Sequence, residues 1–281
     1  MDHQGTGSRQ LRYRVMQVQN QRSLTSNRWV RLGISLGGVL AFFILWEGAS
    51  RTGWLRPDVA PSFMDTAAEL GSLLPQSDFQ AAVRDTLSAW LFGFAVTAAL
   101  AIPIGLLFGA NPWAWKWFHS TFEAVRPIPP IVLLPLAILV MGSGRSFTTV
   151  MIGQGVFWII LLQVTYGSTV IAPVALDTAT VFRVGPWRRY LIFRLPSAAP
   201  IIATGLRIAA GISLAVEIMS ELIGGVPGVG QLLISAQAGN DLPLIYALTG
   251  FTGLLGLIVA ILFRGLERFA LKNHGPKGGA E

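Results

Sequence analysis

The sequence predicts an all-α protein that crosses a membrane about six times, and three observations carry that prediction. Hydrophobic residues make up 52% of the 281 residues, and Gly 31 brings the apolar class to about 63%, against about 45–50% for soluble domains. Charged residues are only 12%, where about 25% is usual. The charge is also missing in blocks: residues 86–115, 127–144, 146–176 and 242–263 contain no Asp, Glu, Lys or Arg. Several of these blocks are long enough to cross a hydrocarbon layer of about 30 Å. Together they exclude an ordinary soluble enzyme and a disordered chain. Cys 0 excludes disulfides, thiolate metal sites and cysteine nucleophiles. His3, His119 and His274 are too scattered to suggest a metal cluster.

Residues 1–31 read as a polar arm carrying Arg9, Arg12, Arg14, Arg22, Arg28 and Arg31. The arm lacks the early apolar stretch of a cleaved signal, so the first span is expected to remain as an anchor. A transmembrane region over 32–271 holds spans at about 32–50, 86–109, 128–140, 147–166, 197–222 and 243–263, and 272–281 form a polar tail. Between the first two spans, Pro57, Pro61 and Pro75 break a mixed loop, with a short helix expected near Ser62–Leu74. Ser62 and Asp65 suit its start. After the second span, Trp113, Trp115 and Trp117 fit an interfacial segment. A nucleic-acid stacking platform would need a basic groove, and only Lys116 is nearby.

The third span carries Pro127, Pro129, Pro130 and Pro135, so it is expected to bend within protein contacts and away from lipid. Gly142–Arg145 forms a tight turn. Gly224–Gly230 resembles a phosphate loop only in composition, because the Gly-Lys-Ser/Thr ending is missing. It reads as a loop between the fifth and sixth spans, on the side away from the termini. Gly253 and Gly256, three apart, do not form a GxxxG pair.

Six spans place both ends on one side, and basic residues identify it. The net charge is +7, and 17 of the 21 Lys and Arg fall in the termini, 109–126 and 167–207. Basic residues collect in cytoplasmic loops, so both termini are expected in the cytoplasm. The charge therefore needs no nucleic-acid partner.

The connection between the fourth and fifth spans, residues 171–196, is too long for a simple turn. Two short helices broken at Gly185-Pro186 are expected, with Pro in the first turn of the second. Val181, Phe182 and Trp187 offer apolar contacts while Arg183, Arg188, Arg189 and Arg194 stay hydrated. Physical chemistry alone leaves two readings open: a basic amphipathic segment on anionic lipid, or a docking element for a cytoplasmic protein. Glu47, Arg207, Glu217 and Glu221 fall within spans, where ionisable groups suggest function. Glu47 lies near the outer interface, and Arg207 lies near the cytoplasmic headgroups. Glu217 and Glu221, four apart, share a helix face; they could brace the outer loop, gate or touch substrate, or relay protons.

Asp177-Thr178-Ala179, then Arg183, Gly185, Trp187 and Leu195-Pro196, resemble the Glu-Ala-Ala coupling loop of importer-type ATP-binding-cassette permeases. Asp177 takes the acidic position and Thr178-Ala179 the small pair. Arg183 stands where the family has glycine, and Gly185 is expected to supply the turn two positions later. The resemblance runs from about residue 40 to 272 and is strongest to the nitrate, sulfonate, taurine and bicarbonate group. It includes Leu55-Arg56-Pro57, Arg126-Pro127-Ile128-Pro129-Pro130, Leu134–Ile138, Pro200–Arg207, Glu221–Gly224, Gly228-Val229-Gly230 and Leu266-Glu267-Arg268. Asn273 departs from a common Trp.

The resemblance implies a type I importer permease fold in the cell inner membrane. It also implies a second permease copy or close homologue, two cytoplasmic ATPases docked on the coupling loops, an extracytoplasmic solute-binding protein and a small, anionic solute. ATP and Mg would be used by the ATPase, and this chain would bind no cofactor and catalyse no reaction. Replacing Asp177 and Arg183 together is then expected to abolish ATPase association while insertion survives. The competing class is an ion-coupled secondary carrier using Glu217 and Glu221, against which no duplicated half with paired broken helices is evident.

Overall fold

The computed structural model describes residues 28–56, 58–169, 173–189, 192–193 and 195–271, and these contain helices and turns without a strand. The arm through residue 27, the tail from 272, and residues 170–172, 190–191 and 194 of the long loop lie outside the described residues. The chain divides into two units, residues 1–68 and 69–281.

The first unit holds α1 (Arg28–Arg51) and the beginning of α2 (Phe63–Leu73). Ser62 accepts the Asp65 N–H at 3.0 Å, the expected cap. Trp46 donates to Pro61 O at 3.2 Å, and the Glu47 carboxylate accepts the Met64 N–H at 3.1 Å while pairing with Arg51. Glu47 thus ties the end of α1 to the start of α2.

The second unit is built on α3 (Ser77–Ala110), α6 (Arg145–Thr169), α9 (Leu195–Gly224) and α11 (Leu242–Leu271). Each is long and apolar enough to cross a membrane, as is the Gly33–Arg51 part of α1. Helix α3 starts nine residues before the expected 86, because Phe79, Ala82, Thr86, Ala89, Trp90 and Gly93 continue one buried stripe. The charges at Asp78, Arg84 and Asp85 interrupt the apolar run without interrupting that stripe.

Helices α3 and α6 run parallel in close contact. An added Cβ at Gly93 would meet Ile152, and one at Gly105 would meet Leu161 O at 2.8 Å and Val164 at 2.9 Å. Thr165 donates to Gly105 O at 3.1 Å. Gly93, Thr97, Ala101, Gly105 and Gly109 recur every fourth residue, and this small-residue seam admits the second backbone. Helix α9 is antiparallel to α6, since Gly205 meets Gln163 while Gly155 meets Val216. Trp90 on α3 donates to Ser213 on α9 at 2.8 Å, a buried bond across the core of Phe94, Ile152, Val156, Ile160 and Leu214.

Because α3 and α6 are parallel, residues 111–144 must return the chain across the bundle. They do so as two helices, α4 (Pro112–Val125) and α5 (Pro130–Met141), bent by 90°. Trp115 packs on Tyr166 (5.8 Å between centroids), Phe122 packs on Trp158 (5.4 Å), and Gln154 reaches Ile128 O at 3.4 Å. These contacts carry α4 along α6 to its middle. The third span expected at 128–140 is therefore only the second half of a broken crossing. The tryptophan-rich segment expected at the interface is the first half. Pro127, Pro129 and Pro130 explain the break, since each removes a donor and restricts the backbone.

Candidate functional site

At the end of the bundle where α6 stops and α9 begins, the chain forms α7 (Pro173–Val181) and α8 (Pro186–Arg189). Two short helices with Pro at the head of the second match the sequence pattern. The turn between them differs from expectation. Val184 N–H donates to Ala179 O at 2.9 Å and Arg183 N–H to Thr180 O at 3.0 Å, the paired bonds of a Schellman motif. Arg183 occupies its left-handed position with φ 49°, and Gly185 is not among the glycines with positive φ. The residue standing in the glycine's place therefore makes the turn itself, and Gly185 does not take it over.

A left-handed backbone costs a non-glycine residue about 1–2 kcal/mol, while glycine loses about 0.5–1 kcal/mol more entropy on ordering. Arg183→Gly is expected to stabilise the turn by a net amount below about 1 kcal/mol. Hydrogen exchange at Val184 should slow about two- to fivefold; faster exchange in the glycine variant would contradict the assignment.

The other expected loop residues are placed as follows. Asp177 and Thr178 are exposed on α7, and Ala179 is fully buried beneath them. Val181 and Phe182 are 78% and 75% exposed immediately before the turn. Arg189 on α8 donates to the Thr180 hydroxyl at 3.2 Å, which links the two helices. The backbone of Trp187 lies in α8; its side chain is outside the described set. Leu195 and Pro196 open α9 and line an apolar groove of about 400 Å³ with Ile102, Ile202 and Leu206.

Arg207 does not join the two carboxylates. Its guanidinium pairs with Glu267 of α11 at 3.0 Å, and Glu267 also accepts from Thr204 at 2.6 Å. Glu217 is ten residues further along α9, about 15 Å away. Glu217 and Glu221 are both fully buried at the opposite end of the bundle. Thr148 lies beside Glu217, and its hydroxyl donates to Arg145 O at 3.2 Å. Among the described residues no hydrogen bond of ordinary geometry reaches either Glu217 oxygen.

Glu221 has a definite structural partner. The glycine-rich segment read as a loop ends in a helix, α10 (Val229–Ala238), whose N-cap Gly228 has no capping side chain. Its first amides are satisfied from other helices: Val229 N–H donates to Thr86 Oγ1 at 2.9 Å and Gly230 N–H to Glu221 Oε2 at 2.8 Å. A carboxylate there also faces the positive end of the helix dipole. An added Cβ at Gly228 would fall on the Glu221 carboxyl, and one at Gly230 would meet Ile218 O and Glu221 Cβ. The sequence carries the signal as an acid followed by two closely spaced glycines, but the Thr86 contact spans 143 positions.

The family model for a binding-protein-dependent transport system inner membrane component matches residues 101–272. The bicarbonate transport system permease protein CmpB of Synechococcus elongatus is 27% identical over 254 residues, covering 85% of this chain and 90% of that protein. The nitrate import permease protein NrtB of a Synechocystis strain is 27% identical over 62% of this chain and 64% of that protein. Among solved structures, the inward-facing MetNI methionine ABC transporter aligns with a TM-score of 0.60 at 17% identity, over 67% of this chain and 94% of that one. A bacterial ABC transporter that imports the acidic polysaccharide alginate aligns at 0.58 and 13% identity, over 85% and 95%. These similarities show the fold of an ABC importer permease. With the family match spanning most of the helical bundle, this chain belongs to the inner membrane components of binding-protein-dependent transport systems and is a permease subunit.

Proposed function

We propose that this permease moves a small anion of the nitrate or bicarbonate type into the cell, paired with a second permease copy or close homologue. Two ATPase subunits dock on α7 and α8 at the cytoplasmic end, and a solute-binding protein delivers the anion at the other end. The observation that carries this reading is similarity to a bicarbonate permease over 85% of this chain. The exposed Val181 and Phe182 on a helix-turn-helix support the docking half. Sidedness rests on the basic residues outside the broken crossing: the termini and residues 167–207 hold 15 of the 21 Lys and Arg, which supports a cytoplasmic location for α7, α8 and both termini.

In this reading ATP and Mg are used by the ATPase. This chain contributes the path and the lever: closure of the ATPase pair draws the two α7–α8 elements together and biases the path outward-open, and hydrolysis resets it.

The test is reconstitution of the assembled importer in proteoliposomes, with labelled bicarbonate and nitrate supplied alongside the binding protein. ATP-dependent accumulation of either anion, unaffected by collapsing the proton and sodium gradients, is the expected result. Uptake that needs an ion gradient and proceeds without the ATPase would overturn it.

A further inference from the structure

The break between α4 and α5 brings Arg126 beside the middle of α6. Phe122 packs on Trp158, and Ile128 O accepts from Gln154; Arg126 lies between these two contacts. On α6, Trp158 is about 20 Å from Arg145 and about 17 Å from Thr169, and Gln154 is about 14 Å from Arg145. Helix α6 contains no other charge than Arg145 at its very start. Arg126 therefore sits near mid-depth, and Arg126, Pro127, Ile128 and Pro129 are all exposed on this chain.

Lipid is not a suitable neighbour for that surface. Irregular backbone at membrane depth persists only against protein or a water-filled cavity. A guanidinium can snorkel only the length of its own stem, short of headgroups about 15 Å away. Among the described residues no acidic group pairs with Arg126; Glu123, one turn earlier, faces His119 at 3.6 Å. The prolines leave the start of α5 poor in N–H donors, so the positive charge at the break belongs to Arg126. Gln154, which reaches the same break, adds an amide at the same depth.

We infer that Arg126 lines an aqueous path at mid-depth and draws the transported anion to the break. A charged group within a span is a functional signal, and broken helices are where transporters place their solutes. The inference rests on the anion-importer reading above, and its test separates the two.

The natural absence of cysteine allows Ile128→Cys to serve as the only thiol of this subunit, in the full importer reconstituted in bilayers. Its modification rate is measured with an anionic sulfonate and a cationic trimethylammonium methanethiosulfonate reagent. With Arg126 present the sulfonate is expected to react faster. Arg126→Gln in the same background should lower the anion-to-cation rate ratio at least fivefold, the size expected from one charge about 7 Å away in water. In the cysteine-free chain, Arg126→Gln should cut bicarbonate and nitrate uptake at least tenfold with ATPase association unchanged, and Arg126→Lys should restore part of it.

A thiol that reacts with neither reagent under any nucleotide condition places the break against protein, such as Glu123 of a second copy, and overturns the inference. A rate ratio unchanged by Arg126→Gln, or undiminished uptake in that variant, also overturns it. Failure of the wild-type importer to accumulate either anion rejects the substrate reading separately, because the reagent ratio does not depend on substrate.

Discussion

Replacing Val181 and Phe182 together with serine is expected to reduce co-purification of the ATPase by at least tenfold while membrane insertion is unchanged. Both side chains are largely exposed on this chain, at 78% and 75%, and both lie just before the Schellman turn at Arg183. Burying a side chain of this kind is worth about 1.5–3 kcal/mol, so a fraction of the two contributions already exceeds a tenfold change in affinity. The backbone turn depends on the Ala179 and Thr180 carbonyls, which the serines leave in place. Asp177 is on the exposed side of α7, and Arg183 is exposed at the turn, so their double replacement should act in the same direction. Arg183→Gly alone should act weakly, because it preserves the turn. A lipid-surface role for the segment predicts another outcome: normal ATPase recovery with the serine variant, and weaker binding of the isolated segment to anionic vesicles. Normal recovery of the ATPase would sink the docking assignment.

The legible parts of this fold are those whose signal is local. The apolar runs of α1, α6, α9 and α11 contain few charges over a full membrane width, so each reads directly as a span. The α7–α8 pair is equally local, with Gly185-Pro186 marking the break. Elsewhere the charge-free criterion misplaced boundaries. Asp78, Arg84 and Asp85 hide the first turns of α3, and the spacing of Trp113, Trp115 and Trp117 makes α4 read as an interfacial segment. What decides α4 is the parallel packing of α3 and α6, which obliges the intervening chain to cross. That packing depends on the small-residue seam from Gly93 to Gly109. The seam was visible at four-residue spacing, but it acquires meaning only when α6 is its partner. Propensity favours glycine and puts the left-handed turn at Gly185, while the hydrogen-bonding pattern at the end of α7 places it on Arg183. The capping of α10 was least accessible, since its partners come from α3 and α9.

Glu221→Ala is expected to destabilise the bundle by about 2–4 kcal/mol, from an unsatisfied buried Gly230 N–H and the cavity left by the side chain. Glu221→Gln retains an acceptor for that amide and loses only the charge facing the α10 dipole, so it should cost about 1 kcal/mol. This ordering, read as the thermal unfolding of the purified permease complex in detergent, distinguishes a cap from a proton relay. A relay would leave stability nearly unchanged in both variants and would make uptake follow the proton gradient. A double-mutant cycle sharpens the test. An added Cβ at Gly228 meets the three carboxyl atoms of Glu221 first, whereas one at Gly230 meets Ile218 O, Glu221 Cβ and Leu222 N. Gly228→Ala should carry the backbone cost of φ 159° in both backgrounds but the clash with the carboxyl only in the wild type, so the two changes should couple by about 1–3 kcal/mol, as groups in contact do. Gly230→Ala should remain damaging in both backgrounds, because the Ile218 carbonyl is backbone and cannot move aside. Strict additivity for Gly228 and Glu221 would show that the carboxyl does not hold α10 in this arrangement. The predicted coupling would tie α9 and α10 together through one carboxylate, at the end of the bundle opposite α7 and α8.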